Sequence, residues 1–221
     1  MMKKVVIFGT GDIGQLANFY FTHDSPFEVV AFTVDADYIT DKELLGLPIL
    51  SFENISRHYP PNKYDMFVAL SYRNNNRLRA QKFLAAKEKG YTLISYVCSK
   101  SVLWGDTEIG ENCFIFENQT IQPFVKIGNN VVIWSGNHIG HHSSIGDHCF
   151  ISSHVVISGH VKINPYCFLG VNSTIRDGIT VAKDCVIGAG AVIVKDTAEK
   201  GVYIGKAADK YLSDSSKLKR I

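Results

Sequence analysis

A six-residue repeat constrains the fold of this 221-residue chain more than any other feature. When the sequence is divided into blocks of six from Ser95, the third place is Val, Leu or Ile from Val97 to Ile193, without an insertion. Four places further on, the residue is usually small. A helix would show apolar spacings of three and four, and a lone strand would show simple alternation. A fixed period of this kind indicates a repeat architecture instead.

The repeat predicts short parallel strands joined by tight turns, with three strands in each coil. Stacked coils of about eighteen residues then form a triangular prism whose strands lie about 4.8 Å apart. The large aliphatic residues fill the prism, and the small residues allow its corners to close. The small inward place includes the cysteines Cys113, Cys149, Cys167 and Cys185. We interpret them as small buried hydrophobes, because the chain has no CxxC pair to indicate zinc or a disulfide.

The N-terminal residues predict an α/β domain of a different kind. Residues 3–8 form a β-branched run, and Gly9, Gly11 and Gly14 form a GxGxxG turn before a helical segment and a second strand ending near Asp35. This order is the Rossmann-type fingerprint, in which glycines let a phosphate approach a helix N-terminus. Residues 63–70 predict a third strand, and 92–97 a last strand leading into the prism.

The expected organisation is a Rossmann-like half domain (1–94), the prism (95–205) and a C-terminal tail (206–221). The first domain is too short for a dinucleotide, so we expect one nucleotide and no NAD binding. The alternative is that the glycines only shape a tight turn. After the third strand come Tyr72, Asn76 and Arg79, at the strand end where ligands of open α/β sheets gather. Arg79 is a candidate for a phosphate contact, or equally a solvated helix residue.

Composition excludes several partner classes. Lys and Arg total 23 against 21 acidic residues, so no electrostatic attraction to nucleic acid or an anionic membrane is expected. No apolar run reaches membrane-spanning length. The N-terminus has the pattern of a strand and not of a signal peptide, which favours a cytoplasmic location.

Six of the eight histidines lie between residues 138 and 160, and none occupies an inward place of the repeat. All six should therefore project outward, and His142 and His160, one coil apart, should stack on one side of the prism. Histidines on adjacent coils can share a zinc ion. No acid or thiolate at the matching places of the repeat completes a metal-ligand shell with these histidines, so no metal is expected. His141 comes just after an Ile-Gly step, with Gly159 one coil further on.

The chain resembles the two-domain hexapeptide acyltransferases that acetylate sugars. These are the bacillosamine-pathway and perosamine nucleotide-sugar N-acetyltransferases and the related sialic acid O-acetyltransferases. The resemblance rests on the GxGxxG domain leading directly into the repeat, on residues 139–152 and 161–173, and on the closing GVYIGKAA. In that last motif Ala207 stands where the family has Pro.

The resemblance implies a left-handed parallel β-helix, a homotrimer with active sites between subunits, and acetyl-CoA as co-substrate without a metal. By position, His141 matches the catalytic base of the family. Other positions match its contacts, with Gly159, Val171 and Ala189 on CoA, and Gly11, Asp12, Ile13 and Asp35 on the nucleotide-linked sugar. Val171 and Ala189 are also one coil apart, as a ligand lying along the prism requires.

Two departures from the family pattern matter. His142 stands where the family has Asp or Glu after its base, so we treat His142 as a second catalytic candidate while the source of negative charge stays open. Ile13 stands where the family often has a histidine near the sugar. The first choice of acceptor is the amine of a 4-amino-4,6-dideoxy sugar. O-acetylation of a sugar is the alternative, and a non-catalytic nucleotide-sugar sensor or scaffold trimer is the third.

Overall fold

The computed structural model describes residues 3–209, and its first elements follow the order that the glycine turn predicts. Strand β1 (Lys3–Phe8) leads through the turn into helix α1 (Asp12–His23), which returns to the parallel strand β2 (Phe27–Val34). The rest of this domain comprises a 3₁₀ turn (Ala36–Tyr38), β3 (Glu43–Leu44), β4 (Leu47–Ser51), α2 (Ile55–His58), β5 (Asp65–Val68) and α3 (Arg77–Glu88). The predicted tail from residue 210 onward lies outside the described residues.

The strands of this domain form one sheet in the order β3-β4-β2-β1-β5. Strand β1 pairs in parallel with β2 and β5, β2 pairs in parallel with β4, and β3 is antiparallel to β4. Strands β3 and β4 and helix α2 were not predicted from the sequence. The prediction of a full strand at 92–97 was wrong, because Leu93 makes a single bridge to Met66 and the chain then enters the prism at Tyr96.

The repeat forms a prism of two-residue strands in three parallel sheets, as predicted. We call the first sheet the domain-facing face; it contains β6 (Tyr96–Val97), β9 (Phe114–Ile115), β12 (Val132–Ile133), β15 (Phe150–Ile151), β18 (Phe168–Leu169), β21 (Val186–Ile187) and β23 (Val202–Tyr203). The second, the valine face, contains β7 (Val102–Leu103), β10 (Thr120–Ile121), β13 (His138–Ile139), β16 (Val156–Ile157), β19 (Thr174–Ile175) and β22 (Val192–Ile193). The third, the charged face, contains β8 (Glu108–Ile109), β11 (Lys126–Ile127), β14 (Ser144–Ile145), β17 (Lys162–Ile163) and β20 (Thr180–Val181).

The prism interior is the largest apolar core of the described residues. Its walls are the third-place aliphatic residues, and Cys113, Cys149, Cys167 and Cys185 fill the small places with no exposed surface. All five cysteines of the chain are free thiols. The inward positions predicted from the repeat are therefore confirmed.

The sixth place of the repeat has a backbone requirement that explains its composition. His142, His148, His154 and His160 all have φ between 54° and 62°, the left-handed region. Asn, Asp and His tolerate this region better than most residues, and Asn112, Asn130 and Asp184 occupy the same place in other blocks. Four of the six clustered histidines therefore satisfy the turn, whatever else they do.

The N-terminal domain packs on the domain-facing face, where it joins a second core. From the sheet domain, Phe21 contacts Tyr96 of the prism and Phe67 contacts Phe114, at ring-centroid distances of 5.6 and 5.2 Å. The side chain of Asn112 accepts a hydrogen bond from the Val68 N–H (2.7 Å) and donates one to the Val68 carbonyl (3.1 Å). The N-terminal domain thus covers one face of the prism and does not cover the other two. None of the helices between residues 3 and 209 has the length and hydropathy that a membrane crossing requires.

Candidate functional site

The edge between the valine face and the charged face carries the candidate catalytic histidine. His141 follows β13, Gly159 follows β16 and Asp177 follows β19, so the three lie at equivalent turns of successive coils. The central residue has no side chain, and this lets the side chains from the coils on either side approach each other. Asp177 was missed by the sequence analysis, although adding one coil length to Gly159 leads directly to it.

The absence of a side chain at Gly159 creates the space for the imidazole. A Cβ on Gly159 would lie 2.8 Å from Cε1 and 2.9 Å from Nε2 of His141, and 2.9 Å from Oδ1 of Asp177. Real Cβ atoms essentially never approach other atoms this closely. A carboxylate and the outer nitrogen of the ring therefore lie on either side of the same point, close enough to interact electrostatically.

Two hydrogen bonds orient His141. Its backbone N–H donates to Oε1 of Gln122 (2.9 Å). Its Nδ1 lies 3.1 Å from Nδ1 of His142, so one ring donates a hydrogen to the other. When His141 is the donor, its Nε2 carries a free lone pair, as a general base requires. In that tautomer, Nδ1 of His142 accepts the hydrogen from Nδ1 of His141.

A third imidazole completes this corner. His160 stacks on His142 with ring centroids 4.9 Å apart and an angle of 16°, as the repeat predicted. It also meets the His141 ring edge-on at 5.0 Å. One nitrogen of each ring lies within 4.8 Å of the others, and all three residues are exposed. No metal was predicted, because no acid or thiolate at the matching places of the repeat could complete a ligand shell; the fold instead brings three imidazoles together.

The predicted CoA-binding residues divide between two edges. Gly159 lies on the His141 edge. Val171 and Ala189 follow β18 and β21, and therefore lie on the edge between the domain-facing face and the valine face. Val171 is 44% exposed and can therefore contact a ligand or partner. The valine face lies between the two edges.

His148 projects outward from the prism, as the repeat predicted, but it does not reach solvent. It points away from the prism interior but is covered by the N-terminal domain, with 8% of its surface exposed. Its Nδ1 lies 2.9 Å from Nδ2 of Asn130, and its ring packs against Phe83 and Tyr166. Burial, with a smaller contribution from nearby arginines, lowers the pKa of His148 to about 4.

The three glycines of the N-terminal turn have different roles. Gly9 has φ 117°, and a Cβ there would lie 2.6 Å from the Ala69 carbonyl oxygen. A Cβ on Gly14 would lie 2.0 Å from the Gly9 carbonyl oxygen, so Gly14 allows helix and strand to pack closely. Nothing lies within 4 Å of a Cβ built on Gly11, which is the N-cap of α1. Two glycines are needed for packing, and Gly11 leaves the helix N-terminus open to a ligand.

Two adjoining clefts meet at this helix N-terminus. One, of about 450 Å³, is lined by Gly11, Asp12, Ile13, Tyr72 and Arg73 among others. The second, of about 560 Å³, is lined by residues that include Gly11, Asp35, Arg73 and Lys82. Five predicted substrate residues therefore share one concave surface at the carboxyl ends of β1 and β5. Two further residues of this surface were not predicted from the sequence: Arg73, which lines both clefts, and Lys82, whose Nζ lies 2.6 Å from Oδ1 of Asp35.

Asn76 and Arg79 do not belong to this surface, contrary to the prediction. Both are fully buried between α3 and the prism. The Asn76 side chain donates to the Cys167 carbonyl (3.3 Å). The Arg79 guanidinium donates to carbonyls of Ser71 (3.2 Å), Asn130 (3.2 Å), His148 (3.4 Å) and Cys149 (2.9 Å). These two side chains hold the N-terminal domain against the prism. The prism carbonyls at this junction are shielded from water, so they need hydrogen-bond donors from the protein.

Two families of repeats match the prism in sequence. The family described as bacterial transferase hexapeptide (six repeats) matches residues 124–159. The family described as hexapeptide repeat of succinyl-transferase matches residues 161–195. Residues 124–159 and 161–195 therefore match hexapeptide repeats of transferases. Together with the short parallel strands, these matches fit a left-handed β-helix. No curated protein matches the chain in sequence.

Several solved structures share the whole architecture. The acetyltransferase domain of PglB from Neisseria gonorrhoeae is 22% identical with a TM-score of 0.82, over 92% of this chain and 97% of that one. PerB from Caulobacter crescentus, solved with CoA and GDP-perosamine, is 24% identical with a TM-score of 0.80, over 93% and 95%. WeeI from Acinetobacter baumannii is 20% identical with a TM-score of 0.60, over 91% and 96%. At these identities the likeness establishes the fold, which is the one that the sequence resemblance implied.

Proposed function

We propose that this protein is an acetyl-CoA-dependent sugar N-acetyltransferase. Its acceptor is the amino group of a nucleotide-linked amino-dideoxy sugar, a 4-amino-4,6-dideoxyhexose, used for surface polysaccharide or glycan synthesis in the cytoplasm. The observation that carries the proposal is the arrangement of His141, Gly159 and Asp177 on one prism edge, with Nε2 of the imidazole facing the open position. The shared fold with PglB and PerB acetyltransferases supports it.

The chemistry is direct acyl transfer. The sugar amine attacks the thioester carbonyl, a C–N bond forms, the C–S bond breaks, and CoA leaves as its thiolate. Nε2 of His141 accepts the proton that the amine loses and passes it to the thiolate; such general-base help is worth roughly 10²–10⁴ in rate. Holding both substrates in one cleft contributes proximity. No acyl-enzyme is required.

His142 and Asp177 act on the base in different ways. His142 accepts the Nδ1 hydrogen of His141 and so keeps Nε2 free of a hydrogen. Asp177 provides the negative charge that an imidazole cannot, since an opposite charge within about 4–6 Å favours the protonated ring that forms during transfer. The pair thus replaces the single acidic residue of the resembling family.

The two prism edges support a homotrimer. Gly159 lies on the His141 edge, whereas Val171 and Ala189 lie on the other edge of the valine face. On that face the outward positions run Val102, Thr120, His138, Val156, Thr174 and Val192, and its three valines are 61%, 39% and 64% exposed. Packing such faces against each other would bring the His141 edge of one copy beside the Val171 edge of its neighbour, with acetyl-CoA between them.

The nucleotide-linked sugar would occupy the N-terminal clefts. The open backbone at Gly11 and the start of α1 favour an anion, and Arg73 adds a cation at the junction of both clefts. Asp35, held by Lys82, is placed to accept a hydrogen bond from a ribose or base. Asp12, Ile13 and Tyr72 line the cleft on the sugar side.

A panel of nucleotide-linked amino sugars and free sialic acid, each with acetyl-CoA, tests this proposal. We expect CoA release and N-acetylated product with a 4-amino sugar, and His141→Ala should lower kcat by at least about a hundredfold while the protein stays folded. His58→Ala, which changes an exposed histidine of helix α2 away from both prism edges, should turn over as the wild type does. Product from sialic acid alone would establish the O-acetyltransferase alternative. No CoA release with any acceptor would favour a sensor or scaffold.

A further inference from the structure

The corner that carries His141 contains more imidazoles than acyl transfer needs. One nitrogen each from His141, His142 and His160 lies within 4.8 Å of the others, and the Nδ1 atoms of His141 and His142 are 3.1 Å apart. Zinc binds imidazole nitrogen at about 2.0–2.1 Å, so two ligands of a tetrahedral ion lie about 3.4 Å apart. Small rotations of the three side chains therefore satisfy the geometry of a three-histidine site.

The backbone beneath this cluster is fixed by the stacking of coils. The His142 N–H donates to the Pro123 carbonyl (3.2 Å), and the His160 N–H donates to the His141 carbonyl (2.9 Å). His142 and His160 have nearly the same left-handed φ, 59° and 54°. The three Cα positions are thus held before any ion arrives, and binding requires only side-chain adjustment.

The surroundings of the cluster favour a cation. All three rings are exposed, so an ion can reach them and keep a solvent-facing position for water. The Asp177 carboxylate lies beside the outer edge of the His141 ring. Imidazole ligands suit zinc, copper and nickel in preference to the hard cations magnesium and calcium.

We propose that His141, His142 and His160 form a binding site for a divalent transition metal of the zinc type, and that the metal inhibits the enzyme. Whichever nitrogen of His141 binds the ion, Nε2 then carries either the metal or a hydrogen, so it has no lone pair for the substrate proton. The hydrogen shared between His141 and His142 is released to solvent or moves to an outer nitrogen. The binding site stands by itself, whereas the inhibition rests on the proposed function.

Binding is tested with Co²⁺, which reports its coordination by visible absorption, on untagged full-length protein. We expect a saturable band at one ion per chain that Zn²⁺ abolishes. His160→Gln should weaken binding by at least about tenfold. His154→Gln is a matched control, because His154 is exposed at the same place of the repeat with φ 58° but lies on another edge; it should bind as wild type does. No band, an undiminished affinity in His160→Gln, or a thiolate charge-transfer band would overturn the site.

Inhibition is tested by chromatography of the acetylated product, since zinc also binds the CoA thiol. Stoichiometric Zn²⁺ should stop wild-type turnover, and a chelator should restore it. When turnover is expressed relative to the metal-free rate of each variant, Zn²⁺ should inhibit His160→Gln far less than it inhibits the wild type. Full wild-type turnover with the site saturated would refute the inhibitory role. Cobalt binding without acetylation of any acceptor would refute the proposed function but not the site.

Discussion

Replacing His148 with Gln should remove part of the acid sensitivity of this protein. The pKa of His148 falls from its ordinary 6.5 to about 4 on folding, chiefly because the ring is buried beneath α3. Protonation therefore favours the unfolded chain, so the contribution of His148 to stability is complete above pH 6.5 and is lost as the pH falls towards 4. Each pH unit within this window costs up to about 1.4 kcal/mol.

Between pH 7 and pH 5 the wild type should lose about 2 kcal/mol of unfolding free energy through this residue alone. His148→Gln lacks the titrating ring, so its unfolding free energy should fall by that much less over the same interval. At pH 7 the variant should itself be less stable by roughly 1–2 kcal/mol, since the contacts of the ring with Phe83 and Tyr166 are lost.

The assay is urea unfolding at fixed chain concentration at several pH values, with unfolding free energies compared between variants. His154→Gln serves as the control, because this histidine is exposed in an equivalent turn, and its curve should run parallel to that of the wild type. If His148→Gln also runs parallel to the wild type, the buried ring is not a source of acid sensitivity, and the argument from burial fails.

Three further changes test the site and the domain junction. Gly159→Ala should lower kcat/KM at least about tenfold without unfolding the protein, because its Cβ would lie 2.8 Å from Cε1 of His141, the proposed base. Gly105→Ala, with open space around it, should leave kcat/KM unchanged, and equal losses in both would contradict the steric argument. Asp177→Asn should lower kcat about tenfold at unchanged KM for both substrates, as the loss of one favourable charge predicts; a similar effect from the exposed Glu199→Gln would remove Asp177 from the mechanism. Arg79→Lys should lower the free energy of unfolding by roughly 2–4 kcal/mol in urea, because a lysine cannot reproduce the guanidinium hydrogen bonds to several prism carbonyls. The KM for the sugar nucleotide should not change. A change in KM without a loss of stability would instead support a role for Arg79 in substrate binding.

The sequence determined the prism almost completely. When one aliphatic residue recurs every six residues, all of these residues can be buried only if the same place of every block faces inward. The inward residues from Val97 to Ile193 were therefore predictable from spacing alone. The separation of one coil between His142 and His160 likewise predicted that these two side chains stack. The glycine turn and the first strand–helix–strand unit were also predictable, because tight backbone contacts at Gly9 and Gly14 exclude other residues.

Tertiary structure decided what the second domain covers. Arg79 and Asn76 come after a strand end, where ligand-binding residues of α/β sheets are often found. Only the packing of α3 on the prism shows that their side chains donate hydrogen bonds to prism carbonyls instead. His148 has the same backbone conformation as His142, yet one lies beneath the other domain and the other lies in solvent. Spacing along the chain determines the prism edge on which a side chain lies. The packing of distant segments determines how far that side chain is exposed to water and which groups it contacts, and therefore its charge state.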